Sequence, residues 1–133
     1  GSHTVTHPQL KLLKRDAVEY ELKKSKEIIE EKIGEPIESF SYPYKFPEED
    51  KEFKTFLGNT LERCGYKYGV STRIGAATDK DDRYFLKRIP VNSGDDIPLF
   101  KAKLEGGYDW LYRPQQLFKL IKLKLLTHSK NLQ

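Results

Sequence analysis

Two amphipathic helices, each closed by a glycine and each followed by a short alternating strand, constrain this chain more than any other feature. Asp16 can cap the first helix, whose apolar positions Val18, Leu22, Ile29 and Ile33 recur near helical spacing, and Gly34 suits the left-handed residue beyond its end. Residues 36–42 then alternate apolar with polar side chains and are stopped by Pro43 and Pro47, a strand entering a loop near Tyr44. A second helix from about Glu48 carries Phe53, Leu57, Leu61 and Cys64 on one stripe and ends at Gly65, with Gly58 a local weak point. Strands are expected over residues 66–71 and 84–91, separated by a polar, exposed loop over 72–82. A further helix over 96–105 is broken by Gly106-Gly107, and Pro114 opens a basic amphipathic helix through Leu117, Leu120, Ile121 and Leu125. Helices alternating with strands build βαβ units on a parallel sheet, so the fold class is α/β and functional groups should gather on loops at the carboxyl ends of strands.

Composition narrows the function classes. A chain of 133 residues is one domain by length, 1–133, and can bury about two thirds of its unfolded surface. Hydrophobic residues make up 37% and charged ones 33%, which favours a globular domain over disorder or a coiled coil. Lys and Arg number 24 against 20 acids, but the excess is spread through mixed runs such as Lys23-Lys24-Ser25-Lys26-Glu27, so nucleic acid is not an expected partner. The basic face of the helix over 113–133, with Arg113, Lys119, Lys122, Lys124 and Lys130, reads as solvated or packed on a partner. Cys64 has no second cysteine to pair with, and its place on an apolar stripe reads as a structural thiol. No apolar stretch reaches the roughly 20 residues of a membrane helix, and no signal peptide opens the chain. Methionine is absent and the chain opens Gly1-Ser2, so a segment upstream of Gly1 is expected.

The clearest chemical constellation is Gly1-Ser2-His3-Thr4-Val5-Thr6-His7-Pro8. Two imidazoles four residues apart can reach one ion from a helical turn or a tight loop, and Pro8 favours the loop. Neutral imidazole suits zinc, cobalt, nickel and iron, and a catalytic site would add a third protein ligand and an open position for water. Gly-Ser-His is also a common expression-vector remnant, so spacing alone leaves a foreign origin open.

The run His3-Thr4-Val5-Thr6-His7-Pro8 resembles the second motif of polysaccharide deacetylases, carbohydrate esterase family four, which reads histidine, serine or threonine, two residues, histidine. The segment Phe40-Ser41-Tyr42-Pro43-Tyr44 resembles the family's arginine-x-proline-tyrosine loop, with Ser41 where the commoner form has arginine. Gly65-Tyr66-Lys67-Tyr68-Gly69-Val70 resembles its glycine-tyrosine entry into a strand, and Leu86-Lys87-Arg88-Ile89-Pro90-Val91 its arginine-bearing strand. The resemblance covers roughly residues 1–93 and implies a partial (β/α) barrel with parallel strands and flanking helices.

It further implies a divalent metal, zinc first and cobalt or nickel as alternatives, that activates water against an acetyl group on a polysaccharide or glycan. His3 and His7 would be metal ligands and Thr4 would brace their loop; the N–H of Tyr44 would hold the developing oxyanion, and Arg88 would orient the catalytic acid in place of the arginine missing at Ser41. The family's opening threonine-phenylalanine-aspartate-aspartate-glycine strand has no counterpart before His3, and it normally supplies the third ligand and the base. Asp81-Asp82 and Asp95-Asp96 come later and read as solvated or capping acids. Leu125-Leu126-Thr127-His128 is a faint echo of the last motif, in which His128 is not expected to be the general acid, and Trp110 is a candidate sugar-stacking wall. A second class remains, a non-catalytic glycan-binding or assembly module. A partial barrel would expose strand edges, so pairing with a second copy or a missing segment is expected. Family habit places such proteins in the cell envelope or outside the cell.

Overall fold

The computed structural model describes residues 1–45 and 49–107. In chain order the elements are a 3-10 turn at Leu10–Leu12, α1 at Arg15–Ile33, β1 at Ser39–Ser41, α2 at Lys51–Arg63, β2 at Tyr68–Ile74, β3 at Leu86–Arg88 and α3 at Ile97–Leu104. The strands form one sheet in the order β1-β2-β3. β1 and β2 run parallel, Phe40 facing Gly69 in the register, as a helix crossover between neighbouring strands requires. The expected basic helix over 113–133, with Pro114, and the residues Trp110 and His128 lie outside the described residues.

Helix α1 buries Val18, Glu21, Leu22 and Ser25, one stripe at helical spacing. Gly34 ends it at φ 73°, its N–H donating to the Glu30 carbonyl at 2.9 Å. The cap position belongs to Lys14, without a side-chain bond, and not to Asp16. Asp16 lies in the first turn, where its Oδ1 accepts from the Ala17 N–H and its charge faces the positive end of the helix dipole. α2 is capped by Asp50, whose Oδ1 accepts from the Phe53 N–H at 2.9 Å. It buries Leu57, Thr60 and Leu61 and gives way to Gly65 at φ 78°.

Strand lengths depart from the sequence pattern for local reasons. The span expected over 36–42 contracts to Ser39–Ser41 because Ile37 is claimed by α1. Its N–H donates to Glu30 Oε1 at 2.8 Å, and its carbonyl accepts from Lys26 Nζ. β2 starts two residues later than expected and runs on to Ile74, into the segment read as loop. β3 contracts to Leu86–Arg88 because Asp82 folds the preceding residues into a turn, accepting from the N–H groups of Tyr84 and Phe85.

The chain divides into two compact units, residues 1–73 with 77–88, and residues 74–76 with 89–133. In the first, Phe40, Tyr42, Tyr66 and Phe85 form the aromatic centre of the core among Val18, Leu22, Leu57 and Leu61. Phe40 meets Tyr42 and Tyr66 edge-on at 5.1 and 5.6 Å, and Tyr42 stacks on Phe85 at 5.5 Å. In the second, Asp96 caps α3 through the Leu99 N–H at 2.8 Å, and the buried Lys103 ammonium donates to the Pro90 carbonyl and to Asp95.

Candidate metal-binding site

The opening residues are part of the sheet. The Ser2 N–H donates to the Ser39 carbonyl and the Ser41 N–H to the Ser2 carbonyl, both at 2.9 Å, which places Ser2 beside Phe40 as a parallel neighbour of β1. Ser2 is buried, and its hydroxyl meets that of Ser25 on α1 at 2.5 Å. A Cβ on Gly1 would come within 2.6 Å of Ser39 Oγ. The chain leaves the sheet at His3, so both histidines ride the loop at the carboxyl end of this strand.

That loop is tightly wound. Thr4 and His7 take left-handed φ values of 69° and 56°, unusual for residues that carry a Cβ. Thr4 braces the loop as expected, its hydroxyl accepting from the His7 N–H at 3.1 Å and donating to the His3 carbonyl. From α1, Glu21 Oε2 accepts from the N–H groups of Val5 and Thr6 at 2.7 and 3.0 Å, and Oε1 accepts from the Thr6 hydroxyl at 2.6 Å. Burial pushes the Glu21 carboxyl up, but these three donors outweigh it and hold the group below its ordinary value.

His3 Nδ1 lies 2.7 Å from the Ser41 carbonyl. A carbonyl only accepts, so Nδ1 carries a proton, and the neutral tautomer compatible with this bond has its lone pair on Nε2, the arrangement metal-binding histidines favour. The His3 and His7 ring centroids are 4.9 Å apart, and His7 in turn meets Tyr44 edge-on at 4.9 Å. Two loops at neighbouring strand ends thus converge into a row of three rings on the surface. Arg88 joins from β3, its Nη1 donating to Ser41 Oγ at 3.4 Å. His3, Ser41, Val70 and Arg88 line one open concavity of about 440 Å³.

The donor set fits two of the protein ligands a catalytic zinc takes. Among the described residues no cluster of three or more His, Cys, Asp or Glu side chains completes it. The later acids have structural work. Asp81 accepts from Thr78 and pairs with Lys87 at 3.2 Å, Asp82 pairs with Lys54 at 3.3 Å, and Asp96 caps α3. Asp95 corrects the expectation of a solvated or capping acid, because its side chain is only 7% exposed and is held by Lys103. Cys64 is half-buried against the core, where burial raises its thiol pKa, in keeping with a structural role. The sequence reading missed Glu21, although a carboxylate on the buried stripe between Val18 and Ser25 had to find donors somewhere.

The polysaccharide deacetylase family model matches residues 1–69, just over half the chain, and the chain belongs to that family. It is 30% identical over 106 residues to the polysaccharide deacetylase YxkH of Bacillus subtilis (strain 168), an alignment covering 79% of this chain and 36% of the relative. The solved Streptococcus pyogenes deacetylase PplD in complex with acetate matches in fold with a TM-score of 0.65 at 24% identity, over 76% of this chain and 42% of that one. The chain therefore spans well under half the length of either. The expected α/β class is the one found, a part of the deacetylase (β/α) barrel with flanking helices.

Proposed function

We propose that this chain carries the histidine half of the active site of a metal-dependent hydrolase that removes acetyl groups from the nitrogen or oxygen of a polysaccharide or glycan. One observation carries the reading: the two imidazoles abut on a strand-end loop, and the Nδ1 of His3 is engaged by the Ser41 carbonyl, which leaves Nε2 as the nitrogen available to an ion. His3 and His7 would hold the ion, zinc by the chemistry of the donors, with cobalt or nickel as substitutes. A bound ion would polarise the acetyl carbonyl and make a hydroxide available near neutral pH. The Tyr44 N–H would donate to the oxyanion, and the half-exposed Tyr44 ring beside His7 would wall the substrate. Arg88, hydrogen-bonded to Ser41, would orient the catalytic acid in place of the arginine that the commoner family sequence has at that position.

The aspartates that would complete the ligand set and accept the proton from water are assigned to a part of the protein outside this chain, which spans 36% of its relative. That segment, or a second copy, would also cover the sheet edge at Ser2, which among the described residues is paired only on its Phe40 side. Metal analysis after chelation and reconstitution with zinc tests the site. The chain is expected to retain about one equivalent, lost in His7→Ala. Equal retention by His7→Ala, or none by the parent chain, overturns the reading.

A further inference from the structure

We propose that Glu21 is the positioning residue of the histidine loop: its carboxylate, delivered by α1, holds residues 4–7 in the one conformation that aims both imidazoles at a common ion. The proposal rests on the metal-site reading above and extends it from the ligands to what aims them.

Backbone preference works against the loop's shape, and its local support is the Thr4 hydroxyl between His3 and His7. Thr4 and His7 both sit in the left-handed region, where a side chain crowds the following carbonyl, so each would relax if unrestrained. Glu21 supplies the restraint. Two successive N–H groups, of Val5 and Thr6, converge on Oε2, and the Thr6 hydroxyl closes onto Oε1. These bonds grip the segment midway between the two strained residues.

The dependence is mutual. Glu21 is 6% exposed, and among the described residues its carboxylate is met by these three donors and by no cation. A buried carboxylate loses its hydration and must recover it from fixed donors, so the loop conformation is the one that keeps the charge solvated. α1 grips the other side of His3 as well, through the hydroxyl pair Ser2 and Ser25. Glu21 and Ser25 lie four residues apart on the same buried stripe, so His3 is bracketed by contacts from two residues of one helix.

Isothermal titration of the chain with zinc tests this, using Glu21→Gln, Glu21→Ala and Thr6→Ala, with circular dichroism and thermal melts run alongside. Gln keeps one oxygen for the two N–H groups, and its amide can donate to the Thr6 hydroxyl, which can also accept. Zinc affinity is expected to fall about tenfold or more in Glu21→Ala, to fall measurably in Thr6→Ala and to be rescued to near the parent value in Glu21→Gln. A merely structural Glu21 would lower the melting temperature and leave the zinc affinity of the folded protein intact, and that result overturns the proposal. Thr6 is exposed, so if Glu21→Ala does not fold, Thr6→Ala decides, and parent-like affinity in it also overturns the proposal. Failure of the parent chain to bind zinc overturns the underlying site reading instead, so the two failures are distinguishable.

Discussion

Ser41 shows how much one small residue can organise. Its carbonyl fixes the His3 tautomer and its hydroxyl receives Arg88 from β3, so a position that read only as the loss of an arginine is a junction between two candidate site residues. Gly69 is a second such position. In β2 it pairs across to Phe40, and a Cβ there would come within 2.3 Å of the Tyr84 carbonyl oxygen, a backbone atom that cannot swing aside. Gly69→Ala is therefore expected to destabilise the chain by about 1–3 kcal/mol, the usual cost of overpacking, measured as a drop in the urea midpoint. An unchanged midpoint would mean that residues 83–85 yield more readily than their bonds to Asp82 and to the Gly69 N–H suggest. A glycine inside a strand signals close backbone approach in any sequence. Which backbone approaches is set by tertiary register and is not written locally.

At the scale of elements, the alternation of helix and strand was legible because periodicity and glycine caps are local signals. Gly34 and Gly65 end their helices with positive φ, as their positions implied. The strand ends were not legible, since side chains from elsewhere compete for the same backbone. Glu30 and Lys26 take Ile37 out of β1 although its alternation is strand-like. The helix starts separate two acids that look equivalent in sequence. Asp50 accepts from the Phe53 N–H and is a true cap, whereas Asp16 sits inside the first turn, where it accepts only from the adjacent Ala17 N–H and faces the dipole. Asp50→Ala should cost about 1 kcal/mol. Asp16→Ala should cost only a few tenths, and less in salt. Parallel urea titrations of the two variants check this ranking, and equal losses would contradict it. The histidine pair was likewise readable from spacing, but its support was not. Glu21 sits 14 residues beyond His7 and reaches the loop only because α1 folds back along the sheet.

For the whole molecule, the groups whose protonation is perturbed fall into two sets that bracket a plateau of stability. Glu30, Asp81 and Asp95 are lowered from their ordinary values, chiefly by the Lys26 ammonium, the Thr78 N–H and the Lys103 ammonium respectively, and Glu21 is lowered by its loop donors against the opposing effect of burial. A carboxyl depressed in the folded state contributes stability that is fully present above its unfolded value and is lost as pH falls through its folded one. Burial raises Cys64, Tyr42 and Tyr66, and the partner carboxylate Glu38 raises Lys67. These contribute stability that is present below their unfolded values and lost as pH rises through the folded ones. The urea midpoint is therefore expected to be level between about pH 5 and 8 and to fall on both sides. The acid limb should be the steeper, because protonating 20 acids leaves 24 Lys and Arg to repel one another. Replacing Glu30 and Asp95 together by Gln and Asn removes two of the depressed carboxyls and should lower the plateau while flattening the acid limb. A double variant that keeps the full acid slope would mean that the contacts with Lys26 and Lys103 contribute nothing to it, leaving Glu21, Asp81 and net charge to drive acid unfolding.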